Sequence, residues 1–132
     1  MTSEEARRQI IEYWFHKADD ALLSAHSEVQ AGRFDFVVNR AYYACFYAAS
    51  AVLLAMGRKF VKHSGLRAAV HKDLVKAGLL GTKWGKAFDR IFENRQFADY
   101  IELHRFEREQ IDEIVSNAKE FVQEMHRLVV LR

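Results

Sequence analysis

The chain has 132 residues, which is enough for one hydrophobic core and too few for two. Half of the residues are hydrophobic and 29% are charged, a balance typical of folded globular proteins and not of disordered chains. Proline is absent, which favours long uninterrupted helices. We expect a single domain over residues 1–132.

Three further features bear on where the protein is found. No apolar run approaches the roughly 18 residues that a membrane-spanning helix needs. The opening segment, Met1 to Glu5, lacks the basic and then apolar layout of a signal peptide. Cys45 is the only cysteine, and its alanine and aromatic neighbours favour a buried, reduced thiol. We therefore expect a cytoplasmic protein with no membrane association.

The net charge is only +2, but the charges are unevenly spread along the chain. Residues 57–86 carry eight lysines and arginines against one aspartate, whereas residues 99–124 carry eight acidic and three basic residues. Two interpretations are open. The two segments can complement each other within the fold or a dimer, or the basic segment can form a patch that attracts phosphates.

Five helices are predicted from the spacing of apolar residues, and the first two have clear boundaries. The first begins at a capping box formed by Thr2 and Glu5 and stops at Gly32. The second begins at residue 34 or 35 and runs to residue 56, where Gly57 provides the stop signal.

The other three helices follow in the second half of the chain. The third has Ser64 as its N-cap and closes at Gly78, and the fourth begins at Gly81-Thr82 and ends near Asp99. The fifth has apolar residues that alternate by three and four, as on one face of a coiled coil: Ile111, Ile114, Ala118, Phe121, Met125 and Leu128. No strand pattern is present. The predicted fold class is all-α, an up-and-down bundle of four to five helices.

The second helix contains an unusual run, Asn39-Arg40-Ala41-Tyr42-Tyr43-Ala44-Cys45-Phe46-Tyr47. Projected at about 100° per residue, this helix has a polar and aromatic arc and, opposite to it, an alanine arc. The polar arc contains Asn39, Arg40, Tyr43, Tyr47 and Ser50. The alanine arc contains Ala41, Ala44, Ala48 and Ala51. One side of the helix is thus suited to close helix packing and the other to hydrogen bonding and stacking.

Arg40 has two interpretations. A guanidinium flanked by tyrosines can pair with a phosphate or stack on a base. It can equally form a salt bridge with an acid from another helix or from a second subunit. Tyr43 and Tyr47 are either half-buried core tyrosines with a bonded hydroxyl or stacking platforms for a ligand.

A second polar cluster follows at Arg95-Gln96-Phe97-Ala98-Asp99-Tyr100. Arg95 and Asp99 are four positions apart, so on a helix they can form an ordinary ion pair. In the functional interpretation Arg95 binds an anion or stabilises a transition state, and Asp99 and Tyr100 orient it. The six histidines lack the spacing of a metal site, and we expect neither a metal nor a cofactor.

The run from Asn39 to Phe46, the segment Lys62-His63-Ser64-Gly65 and the cluster from Arg95 to Tyr100 together resemble the HEPN domain family. The match is closest to the family's short, largely uncharacterised prokaryotic branch and covers nearly the whole chain. The resemblance implies a helical bundle, a homodimer and a polar groove at or near the dimer interface. Many relatives are metal-independent endoribonucleases with an Arg-x(4–6)-His motif, and others are partners of a small nucleotidyltransferase.

The chain departs from that ribonuclease motif at the position of the histidine. The residue that follows Arg95 after four intervening positions is Tyr100 instead of histidine, and His104 lies too far along. The segment from Arg58 to His63 matches Arg-x4-His, but it lies in the predicted loop after the second helix. We interpret that match as coincidental, although His63 can still line a site. Tyrosine, with a pKa of about 10, is a poor proton acceptor near neutral pH. The absence of the histidine therefore counts more against RNA cleavage than against phosphate binding.

Three functions follow from these residues and from the resemblance, and the sequence leaves open whether the protein is an enzyme. The first is a homodimeric module that binds a nucleotide or RNA and partners a nucleotidyltransferase in a toxin–antitoxin-like or defence system. The second is a metal-independent endoribonuclease toxin with Arg95 and Tyr100 as catalytic residues, in which Arg95 stabilises the charge on the phosphate and Tyr100, or instead His104 or His63, transfers the proton. The third is a purely structural interaction module. In the first two, the ligand groove is lined by Asn39, Arg40, Tyr43, Tyr47, His63, Arg95 and Asp99.

Overall fold

The computed structural model describes residues 2–130 and folds them into an all-α bundle. These residues form five α-helices and no strand, which confirms the predicted fold class. A π-helical segment, Val70–Val75, follows directly on the third helix. The five helices are α1 (Ser3–Ala31), α2 (Phe34–Ala55), α3 (His63–Ala69), α4 (Thr82–Tyr100) and α5 (Arg108–Val130).

α2 is the central helix of the bundle and packs against α1, α3, α4 and α5. The predicted alanine arc of α2 is fully buried, and α1 also buries small residues at three successive turns. Small buried side chains allow neighbouring helix backbones to approach closely. The buried alanines are Ala18, Ala21 and Ala25 of α1 and Ala41, Ala44, Ala48 and Ala51 of α2.

Both ends of α1 have the caps that the sequence predicts. The Thr2 hydroxyl accepts from the Glu5 backbone N–H at 3.1 Å, and the Glu5 carboxylate accepts from the Thr2 backbone N–H at 3.0 Å. At the other end Gly32 has φ +74°, and its N–H donates to the carbonyl oxygens of Glu28 and Val29. A left-handed residue after the last turn satisfies carbonyls that the helix leaves open.

The third helix differs from the prediction at its start and in its course. It begins at His63 with Lys62 at the cap position, so Ser64 lies inside the helix and is not its N-cap. His63 is held in the first turn because its ring packs 4.4 Å from Phe46. The helix then widens into the π-helical segment, where a wider turn accommodates one extra residue. That segment buries Val70 and Leu74 together, which the sequence pattern did not reveal.

The predicted apolar stripe of α5 is confirmed, since all six of its residues are buried. Phe121 lies at the centre of this stripe and contacts the ring of Phe88 on α4 at a centroid distance of 5.5 Å. Cys45 is also buried, as predicted, and burial raises the pKa of its thiol well above the ordinary value. The thiol therefore stays protonated and serves as a small core residue.

The membrane prediction needs one refinement. No uninterrupted apolar run of membrane-spanning length is present, yet α2 is long and apolar enough by composition to cross a membrane. However, 67% of its most apolar window is buried inside the bundle. A helix that is apolar on most sides is equally typical of the centre of a protein core, and the packing around α2 accounts for its composition.

Replacement of Gly32 tests the left-handed cap. Gly32→Ala should lower the free energy of unfolding by about 1 kcal/mol, because a Cβ is unfavourable at positive φ. Nothing lies within 4 Å of the added Cβ, so the backbone conformation alone causes the loss. Gly32→Asn is the matched control, since asparagine tolerates this conformation and should retain part of the stability. Equal denaturation midpoints for Gly32→Ala and the wild type contradict this account.

Candidate functional site

Side chains from three helices meet beside the central helix and form a polar cluster in an otherwise apolar bundle. α2 supplies two tyrosines, the first turn of α3 supplies a histidine, and α4 supplies an arginine and an aspartate. We call this group the Tyr42 cluster. It consists of Tyr42, Tyr43, His63, Arg95 and Asp99.

Tyr42 is the innermost member of the cluster and is fully buried. Its hydroxyl lies 2.7 Å from Nδ1 of His63, which is a short hydrogen bond. Burial raises the pKa of Tyr42 far above its usual value, and the nearby positive charge of Arg95 only partly opposes that rise. The hydroxyl therefore stays protonated and is able to donate to His63.

His63 is neutral in this environment. Burial lowers its pKa below the ordinary value of 6.5, and the positive charge of Arg95 lowers it further. When the Tyr42 hydroxyl donates to Nδ1, the neutral ring carries its proton on Nε2. His63 then offers an N–H donor to a ligand, and a lone pair at Nε2 becomes available only in the other tautomer.

Arg95 lies over the faces of both tyrosines. Its guanidinium carbon is 4.9 Å from the ring centroid of Tyr42 and 5.4 Å from that of Tyr43. Nε donates to Asp99 at 3.1 Å, so the predicted ion pair within the helix is formed. A guanidinium has five N–H donors, and Asp99 occupies one of them. The ion pair orients the Arg95 side chain, and the 15% of that side chain which is exposed is accessible to a ligand.

The remaining predicted residues of α2 line a different recess, between α1 and α2. Arg40 donates from Nε to the Ser24 hydroxyl at 3.1 Å and from Nη1 to the Asn39 side-chain oxygen at 2.7 Å. No carboxylate of residues 2–130 forms an ion pair with Arg40, so the predicted interhelical salt bridge is absent from this part of the chain.

We call this recess the α1–α2 cleft. Its volume is about 380 Å³. The cleft shares Tyr43 with the Tyr42 cluster, so the predicted groove is divided into two parts that have one ring in common. The lining residues are Lys17, Asp20, Ala21, Ser24, Asn39, Arg40, Tyr43 and Tyr47.

Tyr100 does not belong to either part. It follows Arg95 by five positions, which corresponds to a rotation of about 140° around a helix and places it on another face. Its side chain is 68% exposed, at the end of α4. Tyr100 was assigned to Arg95 by its position in the family's ribonuclease motif. The structure instead brings Tyr42 and the predicted site residue His63 to Arg95 as proton-bearing groups.

Tyr42 is the residue that sequence reasoning missed. The projection of α2 placed it between the polar and alanine arcs, so it carried no predicted function. A usable signal was present, because a tyrosine on the buried part of a core helix needs a hydrogen-bond partner for its hydroxyl. Nothing in the sequence identified that partner as His63, 21 positions further along the chain.

The basic and acidic segments do not neutralise each other in the described part of the chain. None of the ion pairs between residues 2 and 130 links residues 57–86 with residues 99–124. Arg58 instead pairs with Asp73 inside its own segment, and Arg67 pairs with Asp89. Six lysines of the basic segment are exposed: Lys59, Lys62, Lys72, Lys76, Lys83 and Lys86.

A larger cavity lies elsewhere, between α1 and α5, with a volume of about 620 Å³. It contains none of the predicted site residues, and its lining includes both acidic and basic side chains, among them Glu4, Arg7, Arg8 and Glu12. Such a lining favours neither sign of ligand charge. Across residues 2–130 no group of three or more histidine, cysteine, aspartate or glutamate side chains is placed to hold a metal ion.

The lowered pKa of His63 provides a test of the cluster geometry. The histidine should titrate below 6.5, and Arg95→Gln should raise its pKa because a neighbouring positive charge is removed. Since the unfolded state binds the proton more readily, the free energy of unfolding falls as the pH drops from about 6.5 through the lowered pKa. NMR titration of the imidazole checks the first point, and chemical denaturation across this pH range checks the second.

Arg90→Gln is the matched control for that titration, because Arg90 is an exposed arginine on the same helix. It removes the same charge and should leave the His63 titration unchanged. A wild-type His63 that titrates at or above 6.5 contradicts the proposed geometry of the Tyr42 cluster.

Comparison with known proteins places this architecture in a family. The model of the HEPN domain matches residues 11–128. A UPF0332 protein of Thermotoga maritima is 40% identical over 123 residues, which cover 93% of each chain. "Putative toxin MJ0142" of Methanocaldococcus jannaschii is 24% identical over 91% of this chain and 82% of its own length. A UPF0332 protein of Archaeoglobus fulgidus is 29% identical over 90% of this chain and 94% of its own length. Because the HEPN match begins within α1 and ends in the last turn of α5, covering well over half of the chain, the chain belongs to the HEPN domain family.

Proposed function

We propose that this protein is a cytoplasmic HEPN module of a toxin-type system that binds the phosphate of a nucleotide or RNA at the Tyr42 cluster. The observation that carries the proposal is the contact of Arg95 with the two tyrosine rings next to a neutral His63. An arginine held in this way presents a planar donor fork to an anion, and the histidine adds a further N–H donor.

The position of Arg95 supports binding more than a purely structural function. A buried, fully paired arginine serves packing, whereas this guanidinium has one donor engaged by Asp99 and remains partly exposed. The surrounding rings exclude water from one side of the cation, which strengthens its attraction for an incoming phosphate. The ring of Tyr43 also contacts the Arg95 guanidinium, and it can stack on a base attached to that phosphate.

The exposed lysines of residues 57–86 support the same ligand class. Lys59 and Lys62 flank the loop that leads into His63, and both are exposed. Clustered positive charge attracts a polyanion over a distance of about 10 Å at moderate salt, and phosphate contacts supply most of the affinity in nonspecific nucleic-acid binding. The overall charge of +2 is therefore a poor guide to the local field near the cluster.

The toxin-type setting rests on relatives. One relative is named "Putative toxin MJ0142", and the family resemblance includes members that accompany a small nucleotidyltransferase. We extend the proposal to a homodimer with such a nucleotidyltransferase as its partner, as the resemblance implies.

Titration with a mononucleotide tests the binding proposal. Arg95→Gln should weaken the binding of UMP and of a short labelled oligouridylate by about tenfold to a hundredfold, the value of a lost hydrogen bond to a charged group. Arg90→Gln, on the same helix, should bind like the wild type. Calorimetry measures the mononucleotide, and fluorescence anisotropy measures the oligonucleotide. If the wild type shows no saturable binding up to millimolar ligand, the proposal is wrong.

A second candidate is metal-independent RNA cleavage, which the closeness of His63 and Arg95 favours. In this reaction a base removes the proton of the 2′-hydroxyl, and the 2′-oxygen attacks the adjacent phosphorus while a cation stabilises the charge that develops on the phosphate. The bond from phosphorus to the 5′-oxygen of the next nucleotide breaks, and that oxygen takes the proton back from the protonated base. His63 is the neutral imidazole near Arg95, so it can act as that base once its Nε2 lone pair is exposed by the change of tautomer. Tyr42 controls this change because it is the hydrogen-bond partner of Nδ1.

Cleavage of a structured RNA in EDTA tests the second candidate. The wild type should cleave, whereas Arg95→Ala and His63→Ala should each lose at least about a hundredfold in rate. Tyr100→Phe should retain the wild-type rate, because Tyr100 lies outside the cluster. If the wild type and the two alanine variants give the same cleavage rate, the activity comes from contamination. In that case phosphate binding without cleavage is the remaining function.

A further inference from the structure

The α1–α2 cleft contains two cations that are not neutralised. Neither Lys17 nor Arg40 forms an ion pair with any carboxylate of residues 2–130. Asp20 also lines the cleft and is not ion-paired to either of them within the same residues. Two cations and one carboxylate around a recess of about 380 Å³ leave it with a net attraction for anions.

Arg40 is held in position by neutral groups. Ser24 of α1 accepts from Nε, and the neighbouring Asn39 side chain accepts from Nη1. The guanidinium also lies 5.9 Å from the ring centroid of Phe36. Neutral partners orient an arginine without cancelling its charge, so the remaining donors are available to a phosphate.

Lys17 is placed at the other end of the cleft by aromatic rings. Its Nζ is 4.7 Å from the ring centroid of Tyr47, and Tyr47 stacks on Trp14 at 5.6 Å with an interplanar angle of 24°. A cation over a pair of aromatic faces loses little of its charge to its surroundings. Lys17 and Arg40 thus lie on the two sides of one recess, each anchored by uncharged side chains.

Tyr43 connects this cleft to the Tyr42 cluster. Its ring lies 5.7 Å from the ring of Tyr47 on the cleft side and 5.4 Å from the guanidinium of Arg95 on the other. The contacts that lead from Arg95 through Tyr43 and Tyr47 to Lys17 are 5.4, 5.7 and 4.7 Å long. Successive phosphates on one strand of a duplex advance by about 3.4 Å, so this path corresponds to several nucleotides. A mononucleotide is too short to reach from Arg95 to Lys17.

We propose that the α1–α2 cleft is a second phosphate site, and that the protein binds a single-stranded polynucleotide across Tyr43 with phosphates at both parts. This inference rests on the proposed function, because the first phosphate lies at Arg95. The strand is single because only unpaired bases can contact the aromatic side chains between the two sites. The shared chemistry is the phosphodiester backbone, which RNA and single-stranded DNA both provide.

Binding of oligonucleotides to cleft variants tests the inference. Lys17→Gln and Arg40→Gln should each weaken the binding of a short labelled oligouridylate by about tenfold. Each should also reduce the slope of log affinity against log salt by about 0.7, the value for one phosphate contact on a single strand. Lys119→Gln is the matched control, because it removes one charge from α5, which lines neither site.

Each result separates the inference from the proposed function. If Arg95→Gln weakens the oligonucleotide but the two cleft variants bind it like the wild type, the second site is wrong and the proposed function stands. If the cleft variants alone weaken it, the cleft binds a strand and the Arg95 site is wrong. Tighter binding of a duplex than of a single strand overturns the inference.

Parallel titrations with oligouridylate and oligodeoxythymidylate identify which of the two backbones is preferred. Thermal melting checks the fold of each variant, and Arg40→Lys, which keeps the charge, should retain most of the affinity.

Discussion

A tyrosine hydroxyl buried in an apolar core must be hydrogen-bonded, and the site depends on how this requirement is met at Tyr42. The partner is His63, and the bond joins the central helix to the first turn of α3. It therefore fixes where a helix of only seven residues begins. It also holds the imidazole close enough to Arg95 for the positive charge of Arg95 to help lower the pKa of His63.

The hydrogen bond between Tyr42 and His63 favours ligand binding over catalysis. A hydroxyl that donates to Nδ1 leaves the histidine with a proton on its outer nitrogen, which is the state of a ligand donor and not of a base. Catalysis needs the opposite tautomer and hence a second acceptor for the hydroxyl of Tyr42. Cleavage therefore requires that bound RNA provide this acceptor for the Tyr42 hydroxyl. Arg95 contacts the phosphate in the same way in binding and in cleavage.

The fold follows from local patterns, whereas the site depends on contacts that no local pattern encodes. The capping box at Thr2, the glycine stop at Gly32 and the apolar stripe of α5 are short-range features, and the structure confirms each of them. The start of α3 was wrong because a contact with α2 overrides the capping preference of Ser64. Likewise, spacing along the chain linked Arg95 to Tyr100, whereas Arg95 contacts Asp99 on its own helix and the ring of Tyr42 on α2.

The close packing of α1 against α2 has a kinetic consequence for the ligand. Backbones in such close contact cannot slide past each other, so α2 presents Arg40, Tyr43 and Tyr47 in a fixed register. A strand that reaches both parts of the groove meets residues that are already in place and orders few side chains on arrival. Association should therefore be limited by diffusion and charge attraction, and differences in affinity among ligands should appear mainly in how slowly they leave.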